Sequence, residues 1–318
     1  MKVTNLQKSQ CRISEAIKAE ARRLGFDAVG FAHAAPVNHD AARAFTQWIA
    51  DGKNHCMQWA GNHTDLRLDP TALVEGAQTV ISLAVNYLPR QIQSVDAPQV
   101  ARYAYGSDYH EVVRDMARQL AAFIKSATGH ECRVCVDSAP ILERYWAQQA
   151  GIGFIGLNTL LIIPGKGSFF FLCELVTTLQ LPADEPCTLS CGECHACEWA
   201  CPGGALSGGT LDAARCLSCQ TIENRDEHLS DWVTEKIGNH LYGCDECQLC
   251  CPHNRGAQPT TRPEFQAREA VLHLTRQRVL DMTQEQFSAT FRHSPIKRAK
   301  LAGLRRNATL LGKKPNGK

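Results

Sequence analysis

The chain has 318 residues, a formal net charge of +2 and 44% hydrophobic residues, enough to bury a full core in one large and one small domain. No run of eighteen apolar residues occurs and the first ten residues are polar, which argues against a membrane span and a signal-type leader. With sixteen cysteines in a chain too long to need a disulfide scaffold, we expect a protein of the reduced cytoplasm without a membrane partner.

The first third of the chain alternates helical and extended patterns. Apolar residues at helical spacing predict a helix over residues 13–24, followed by a strand over residues 26–32. A second helix is predicted after an Asn38 cap, and a polar turn over residues 65–70. Residues 79–87 are apolar and rich in β-branched side chains, so they predict a buried strand.

A turn crowded with aromatic and polar side chains, residues 102–110, precedes the next helix. Asp108 is a suitable N-cap for that helix, and Val112 to Ile124 give it one apolar face. The turn fits two interpretations, a solvated loop with two core tyrosines or a lid over an extended planar ligand. The residues alone leave both open.

Residues 131–137 predict a strand that ends in an acid, Asp137, before a helix predicted over residues 140–150. An acid at the end of a strand beside a helix start is a frequent active-site position, although capping the helix is the more frequent role. Cys132 and Cys135 lie three residues apart, so a strand turns them to opposite faces. We therefore interpret them as separate buried thiols and not as a metal-binding pair.

A glycine-rich turn over residues 151–158 formally matches the dinucleotide-binding fingerprint. A predicted helix precedes it and a predicted strand over residues 159–164 follows it, which is the reverse of the order that the fingerprint needs. We reject that function and interpret the segment as a turn that allows close backbone approach. A strand over residues 169–178 and a proline-containing linker over residues 181–190 follow.

Eleven of the sixteen cysteines lie between residues 187 and 251, in two related runs. The first run has three cysteines with two residues between each, a fourth after three more, and a proline: Cys191, Cys194, Cys197, Cys201, Pro202. This is the bacterial 4Fe-4S spacing, in which the fourth cysteine serves a neighbouring cluster. Residues 244–252 repeat the end of that run, so the sequence predicts two clusters.

The expected ligand sets are crossed between the two runs, because a close-spaced triplet wraps one cluster whereas a cysteine before proline points to the other. The first cluster would use Cys191, Cys194, Cys197 and Cys251. The second would use Cys201, Cys244, Cys247 and a fourth cysteine from between the runs, Cys216 or Cys219. Two structural zinc sites are the alternative, although zinc motifs usually come as separated cysteine pairs.

Helices are predicted over residues 264–280 and 284–291. Residues 292–318 hold nine Lys or Arg and no Asp or Glu, so the rest of the chain is net acidic. This basic segment fits either a solvated, weakly ordered end or a surface that contacts phosphates, whose affinity would fall with added salt.

Taken together, several stretches resemble the epoxyqueuosine reductases, cobalamin- and iron–sulfur-dependent enzymes that complete queuosine in tRNA. The resemblance runs from residue 67 to residue 307. Its main pieces are Arg102-Tyr-Ala with Gly106, Asp108-Tyr-His110, Val136-Asp137-Ser, Glu143-Arg144, residues 151–159, Gly167-Ser168, both cysteine runs and Tyr242-Gly-Cys-Asp245. The shared order and spacing of these pieces, and no single piece, carry the resemblance.

The resemblance implies an α+β protein in three parts. A nitroreductase-like cobalamin-binding domain would span residues 1–180, a ferredoxin-like double 4Fe-4S domain residues 181–258, and a short helical basic segment residues 259–318. We expect the helical-repeat extension of longer family members to be absent. Binding of tRNA would then depend on the remaining surface and the basic segment.

The resemblance also implies roles for individual residues. The position of Asp137 matches the family's proton donor, and we expect burial under the bound corrin to raise the pKa of its carboxyl group. Cys216 matches the remaining cluster ligand, while Cys219 and Cys250 are additional thiols and Leu157 stands where a lysine is common. The expected cobalamin contacts are Arg67, Arg102, Tyr103, Asn158, Gly167, Ser168 and Gly243.

The implied reaction converts the epoxide of epoxyqueuosine in a tRNA anticodon loop into an alkene. Electrons would come from an external low-potential donor and pass through the two clusters to cobalamin in a monomeric enzyme. Two alternatives are a corrinoid reductive dehalogenase acting on a small molecule and a two-cluster electron carrier. A carrier does not need the 180 or so residues that precede the clusters.

Overall fold

The computed structural model describes residues 5–312, and for residues 5–9 only the course of the backbone. The helices are α1 (Asn5–Leu24), α2 (His39–Ala50), α3 (Thr64–Leu68), α4 (Pro70–Leu73), α5 (Tyr109–Thr128), α6 (Glu143–Gln149), α7 (Ala196–Ala200), α8 (Leu217–Ile222), α9 (Asp231–Lys236), α10 (Glu246–Leu249), α11 (Glu269–Leu272), α12 (Arg276–Asp281), α13 (Gln284–Thr290) and α14 (Lys300–Leu310). The strands are β1 (Ala28–His33), β2 (Thr79–Asn86), β3 (Gln99–Val100), β4 (Cys132–Cys135), β5 (Phe154–Ile155), β6 (Leu161–Ile162), β7 (Phe170–Thr177), β8 (Leu206–Ser207), β9 (Thr210–Leu211) and β10 (His240–Tyr242). Among the helices of the described residues, none has the length and apolar character needed to cross a membrane.

The sheet that organises the first half of the chain has four antiparallel strands in the order β1-β2-β7-β4. These are the four strands predicted over residues 26–32, 79–87, 131–137 and 169–178, so those predictions are confirmed. Strand β2 is central, and its alternate side chains supply two cores: Ile81, Leu83 and Val85 pack with α1 and α5, whereas Val80 and Ala84 pack with α6. The chain is therefore an α+β protein, as expected.

Two helices beside this sheet, α2 and α5, begin at the predicted capping residues. The Asn38 side chain accepts a hydrogen bond from the Ala41 amide at the start of α2, and Asp108 accepts one from the His110 amide at the start of α5. Helix α6 begins at Glu143, three residues later than predicted. Cys132 and Cys135 contact different cores on the two faces of the sheet, which confirms that they do not form a pair.

Two local predictions are wrong. Residues 65–70 do not form a turn but parts of α3 and α4, because the Asp69 side chain accepts a hydrogen bond from the Thr71 amide and starts a new helix. Residues 264–280 do not form one helix but a 3-10 turn, α11 and α12, since Thr275 caps a fresh helix start within that range. The helix predicted over 284–291 is confirmed as α13.

The glycine-rich segment forms a hairpin, with β5 and β6 joined by the turn over residues 156–160. This confirms that it is not a dinucleotide-binding strand–turn–helix unit. Further along, β10 pairs with β3 in parallel and so connects the cysteine-rich region to the first half of the chain.

The basic C-terminal segment is packed over its described part, residues 292–312. Its apolar side chains Ile296, Leu301 and Leu304 are buried in a core with Tyr242 and Phe291. The guanidinium groups of Arg305 and Arg306 donate hydrogen bonds to backbone carbonyls, and Arg298 pairs with Glu223. The interpretation as a weakly ordered end is therefore wrong for these residues, while Lys313, Lys314 and Lys318 lie outside the described residues.

Candidate active site

Two cavities meet at Asp137. The first has a volume of about 400 Å³ and lies between the sheet, the β5–β6 hairpin and the cysteine-rich region. The second, of about 470 Å³, lies between α3, the start of α5 and the turn before α14. Asp137, Tyr103 and Tyr109 line both cavities, so a group bound in one would face a group bound in the other across these three side chains.

The backbone of Asp137 is held in an unusual conformation just after β4. Its φ of 51° lies in the left-handed region, which costs an L-residue other than glycine roughly 1 kcal/mol or more. The Asp137 amide donates a 2.6 Å hydrogen bond to Oε1 of Glu143, the first residue of α6. This contact offsets the strain and directs the carboxylate into the cavities.

Two residues of the first turn of α5 hold the Asp137 carboxylate. The Tyr109 hydroxyl donates to Oδ2 at 2.8 Å, and Nε2 of His110 lies 2.8 Å from the same oxygen. Nδ1 of His110 lies 2.8 Å from Oδ1 of Asp108, so the imidazole bridges two carboxylates. Asp108 thereby has two roles, helix cap and histidine partner.

Hydrogen bonds and neighbouring charges determine the protonation of Asp137. Burial alone would raise its pKa, but the hydrogen bonds from His110 and Tyr109, together with the positive charges of His110 and Arg144, outweigh burial and hold the pKa below its usual value. Burial likewise disfavours the imidazolium of His110, yet Asp108 and Asp137 raise its pKa to about 9. The proton of this pair therefore lies on His110 near neutral pH, and the expected rise of the Asp137 pKa under a bound corrin stays a prediction.

Two further ionisable residues, Glu143 and Arg144, line the first cavity beside Asp137. Burial, together with the negative charge of Asp137, raises the pKa of Glu143 to about 8. Burial lowers the pKa of the neighbouring Arg144, whose Nη1 donates to the Thr159 carbonyl at 2.9 Å. The wall next to Asp137 can thus hold a proton on Glu143 and a positive charge on Arg144.

One set of four thiols forms the opposite wall of the first cavity: Cys201, Cys216, Cys244 and Cys247. Burial raises the pKa of the Cys247 thiol above its usual value, and the nearby Cys244, Cys216 and Cys201 raise it further. The backbone amide of Ala205 donates to Sγ of Cys201 at 3.2 Å. These four cysteines are the predicted ligands of the second cluster.

A second set of thiols lies outside both cavities: Cys191, Cys194, Cys197 and Cys251. Burial raises the pKa of Cys197 to about 11, with Cys250, Cys191 and Cys251 among the nearby groups. Burial also raises the pKa of Cys251, with Cys191 and Cys194 close to it. The fold thus brings the cysteines together in the crossed grouping that their spacing predicts, and their ligation of clusters stays a prediction.

The additional thiols take different positions. Cys250 lies beside the first set, next to Cys251 and Cys194. Cys219 lies one helical turn after Cys216 but does not line the cavity, and its Sγ is 2.7 Å from Sγ of Cys56. Cys216 is therefore better placed than Cys219 as the fourth member of the cavity-lining set.

The predicted cobalamin contacts are only partly brought together. Tyr103, Asn158 and Ser168 line the first cavity, whereas Arg67 lines the second. The remaining three, Arg102, Gly167 and Gly243, line neither cavity.

Close packing against neighbouring residues explains why glycine occupies positions 167 and 243. A Cβ at Gly167 would meet the Asn254 side chain, and one at Gly243 would meet Ala101. Cofactor contact at either glycine stays a prediction.

Sequence reasoning assigned no role to Tyr109, His110, Glu143 or Arg144. All four lie in segments that carry the family resemblance, Asp108-Tyr-His110 and Glu143-Arg144. Their place in these segments was the sequence feature that could have identified them as site residues. Their function depends on the contact of two helix starts with one loop, which spacing along the chain does not reveal.

Two family models match the chain. One described as "Epoxyqueuosine reductase QueG, DUF1730" matches residues 67–138, and one described as "4Fe-4S double cluster binding domain" matches residues 190–254. The second model favours iron–sulfur clusters over the zinc alternative.

Curated relatives match nearly the whole chain. The epoxyqueuosine reductase of Cellulophaga algicola is 40% identical over 300 residues, which are 94% of this chain and 97% of the relative. That of Pseudomonas aeruginosa is 38% identical over 315 residues, 96% of this chain and 86% of the relative.

Solved structures with a similar fold carry the same name. A crystal structure of epoxyqueuosine reductase with a tRNA-Tyr epoxyqueuosine-modified stem loop has a TM-score of 0.86 at 29% identity, covering 95% of this chain and 81% of that one. The Streptococcus thermophilus enzyme has a TM-score of 0.86 at 31% identity, covering 94% and 80%. A Bacillus subtilis structure, with its catalytic aspartate loop swung out of the active site, has a TM-score of 0.84 at 28% identity, covering 95% and 81%.

Proposed function

The chain belongs to the epoxyqueuosine reductase family, and from this premise we propose that it reduces the epoxide of epoxyqueuosine in a tRNA anticodon loop, with Asp137 as the group that delivers the proton. It is an oxidoreductase of queuosine biosynthesis. Because the chain belongs to this family, we set aside the two alternative functions, a reductive dehalogenase and an electron carrier. The observation that carries the proposal is that the two cavities share Asp137.

The first cavity fits the expected cobalamin in the chemistry of its walls. Aromatic side chains offer flat apolar surface, among them Tyr103 and Phe170, while Asn158 and Ser168 can hydrogen-bond amide groups at the edge of a corrin ring. We propose these four residues as cofactor contacts, with Arg102, Gly167 and Gly243 as contacts outside the cavity wall.

The thiols fit two 4Fe-4S clusters, because each set supplies four cysteines. We propose Cys191, Cys194, Cys197 and Cys251 for the first cluster and Cys201, Cys216, Cys244 and Cys247 for the second. When bound, the clusters and cobalamin supply the low-potential electrons that no side chain can provide. Because the second set lines the first cavity, electrons from an external donor would enter at the first set.

The proton chemistry belongs to the residues of the chain. Opening an epoxide leaves an alkoxide, which is a poor leaving group until it is protonated, so a proton donor must lie within hydrogen-bond reach. His110 holds a proton near neutral pH and is in contact with Oδ2 of Asp137, so it can pass that proton to the carboxylate. Asp137 then presents the proton to the second cavity, and Tyr109 and Glu143 keep it in position.

We propose the second cavity as the site of the modified base. Trp59 is 42% exposed at this cavity and offers a surface on which a splayed base can stack. Arg67 is buried in its wall, and among the described residues its Nε has no hydrogen-bond partner, which suits a polar substrate group. Lys297 and Arg298 line the same cavity and would hold flanking phosphates.

The finer parts of the architecture are also proposals. We propose a nitroreductase-like cobalamin domain over residues 1–180, a ferredoxin-like cluster domain over residues 181–258 and a helical basic segment over residues 259–318. The four-stranded sheet of the first part and the two crossed thiol sets of the second support this division. We further propose that the enzyme acts as a monomer in the cytoplasm, where its tRNA substrate is found.

The test is anaerobic reconstitution with iron, sulfide and cobalamin, followed by a chemical reductant and tRNA carrying epoxyqueuosine. We expect mass spectrometry to find a nucleoside lighter by one oxygen. Asp137→Asn keeps the shape of the site but cannot donate the proton, so its turnover should fall by roughly 10²–10⁴-fold while tRNA and cobalamin binding persist. Near-normal turnover by Asp137→Asn would remove this residue from the mechanism.

A further inference from the structure

Two cysteines that the reaction does not use lie in direct contact. Sγ of Cys56 and Sγ of Cys219 are 2.7 Å apart, although 163 positions separate them in the chain. Cys219 is buried at 5% exposure, whereas Cys56 is half-buried and accessible from solvent. Two thiols at this distance, one accessible and one shielded, form the arrangement in which an oxidised cysteine is resolved by its neighbour.

The segment that carries Cys56 is a strap, residues 48–57, which comprises the last residues of α2 and the chain that follows it toward α3. It contacts the cysteine-rich region at two further points, because Nε1 of Trp48 donates to the Leu211 carbonyl at 2.7 Å and the Ala213 amide donates to the Lys53 carbonyl at 2.9 Å. Within the strap, the buried Asn54 side chain donates to the Met57 carbonyl at 3.2 Å. Cys56 is therefore held in place and does not meet Cys219 as part of a loose loop.

The partner thiol lies on a cluster-bearing element. Cys219 is on α8, the helix capped by Cys216, which is a proposed ligand of the second cluster. The strap leads to Trp59, His63 and Arg67, which line the second cavity. A bond between the two thiols would thus join the wall of the substrate cavity to the helix beside the second cluster.

We propose that Cys56 and Cys219 are a reversible disulfide site, oxidised by low-molecular-weight disulfides such as glutathione disulfide. The Cys56 thiolate attacks the glutathione disulfide, which forms a mixed disulfide and releases one glutathione. The Cys219 thiolate then attacks the Cys56 sulfur, which forms the intramolecular disulfide and releases the second glutathione. The two protein thiols lose two electrons and two protons, and the glutathione disulfide gains them.

The disulfide ties the strap to α8 without using any of the eight proposed cluster ligands. It restricts the unfolded chain through a long loop and cross-links two regions that are otherwise held by hydrogen bonds, so the oxidised protein is more stable and its strap opens less often. The site goes beyond the proposed reaction and does not depend on it.

The experiment is an anaerobic equilibration of the reconstituted holoprotein with defined ratios of reduced and oxidised glutathione, followed by acid quenching, alkylation and peptide mapping. We expect a Cys56–Cys219 linked peptide, lighter by two hydrogens than the two reduced peptides together, that dithiothreitol converts back. Amide hydrogen exchange over residues 51–57 should slow on oxidation, Tm should rise by several degrees, and the iron content should stay unchanged.

Two matched variants serve as controls. Cys56→Ser should give no linked peptide and no change in exchange on oxidation. Cys11→Ser removes an exposed thiol on α1 and should behave like the unmodified chain.

Three results would overturn the proposal. The first is Cys56 recovered as a stable glutathione adduct with Cys219 alkylated as a free thiol. The second is a disulfide from Cys219 or Cys56 to Cys216. That result would mean that these thiols exchange with a proposed ligand of the second cluster. The third is loss of iron in step with disulfide formation.

Discussion

At the scale of single residues, the site depends on where one proton lies. The Asp137 carboxylate accepts hydrogen bonds from two residues of one helix turn. These bonds and the positive charges of His110 and Arg144 together stabilise its charged form more than burial destabilises it. His110 holds the proton of this pair near neutral pH. The proton donor that we propose is therefore the coupled pair of Asp137 and His110 and not an isolated acid.

This coupling makes stability depend on pH in a defined direction. The pKa of His110 is about 9 in the folded protein against an ordinary value of 6.5, so its protonation stabilises the fold fully below about pH 6.5. That contribution is lost as the pH rises through 9. We expect the difference in Tm between the unmodified protein and His110→Asn to be present at pH 6 and to vanish above pH 9.5.

The measurement is thermal unfolding of both proteins across this pH range. His273→Asn is the matched control, because His273 lies exposed on the surface just after α11, with its Nε2 3.0 Å from Oε2 of Glu269. A difference in Tm for His110→Asn that is constant from pH 6 to pH 9.5 would contradict the assigned pKa.

At the scale of elements, short helices place the thiols. Helix α7 packs against α10, and this contact brings Cys197 of the first run next to Cys250 and Cys251 of the second. The crossed grouping thus depends on a helix pair of nine residues in total, far too short to form alone in water. Cluster binding would therefore stabilise this part of the fold as well as serve electron transfer.

Two adjacent cysteines give a sharp test of the grouping. We expect Cys251→Ser to lose the first cluster, so that reconstituted protein holds about half of the normal iron while the second cluster remains. Cys250→Ser removes the neighbouring thiol and should keep both clusters. Iron and sulfide analysis with electron paramagnetic resonance distinguishes the two variants.

Equal iron loss in both serine variants would mean that Cys250 and Cys251 exchange as ligands. Loss of the second cluster in Cys251→Ser would reverse the proposed assignment. Either result would leave the family membership of the chain untouched.

At the scale of the whole molecule, the basic residues of the C-terminal segment differ in role, although composition alone would treat them all as one phosphate-binding surface. Arg306 donates hydrogen bonds to the carbonyls of Gln220, Asn224 and Asp226 and so holds α14 against the cysteine-rich region. Lys297 is exposed at the second cavity. Only the second residue is placed to contact a phosphate.

We therefore expect different effects from two substitutions that each remove one positive charge. Lys297→Ala should weaken tRNA binding and reduce the slope of log affinity against log salt by about 1, with little change in stability. Arg306→Ala should lower the free energy of unfolding by roughly 1–3 kcal/mol, because it removes the hydrogen-bond donor to the carbonyls of the buried residues Gln220 and Asn224. Its salt slope should stay unchanged.

The measurements are fluorescence anisotropy of a labelled anticodon stem loop at several salt concentrations, and urea unfolding. An unchanged salt slope for Lys297→Ala would remove the second cavity from the tRNA contact surface. A reduced slope for Arg306→Ala would show that its guanidinium group also reaches the RNA.

The sequence alone determined the parts of this protein that depend on local spacing. The period of apolar residues defined the four strands and the long helices, capping residues such as Asn38 and Asp108 located helix starts, and the cysteine spacing predicted two crossed cluster sites. These features are readable because a strand face, a cap or a ligand triplet is set by residues only a few positions apart.

Only the tertiary structure decided what depends on distant residues meeting. It placed the proton of the Asp137–His110 pair on His110, turned Arg305 and Arg306 inward, placed Arg67 in a different cavity from Asn158, and brought Cys56 into contact with Cys219. The physical reason is that pKa values, ion pairs and thiol contacts depend on distance and burial in space. The spacing of residues along a chain specifies neither the distance between two side chains in space nor their burial.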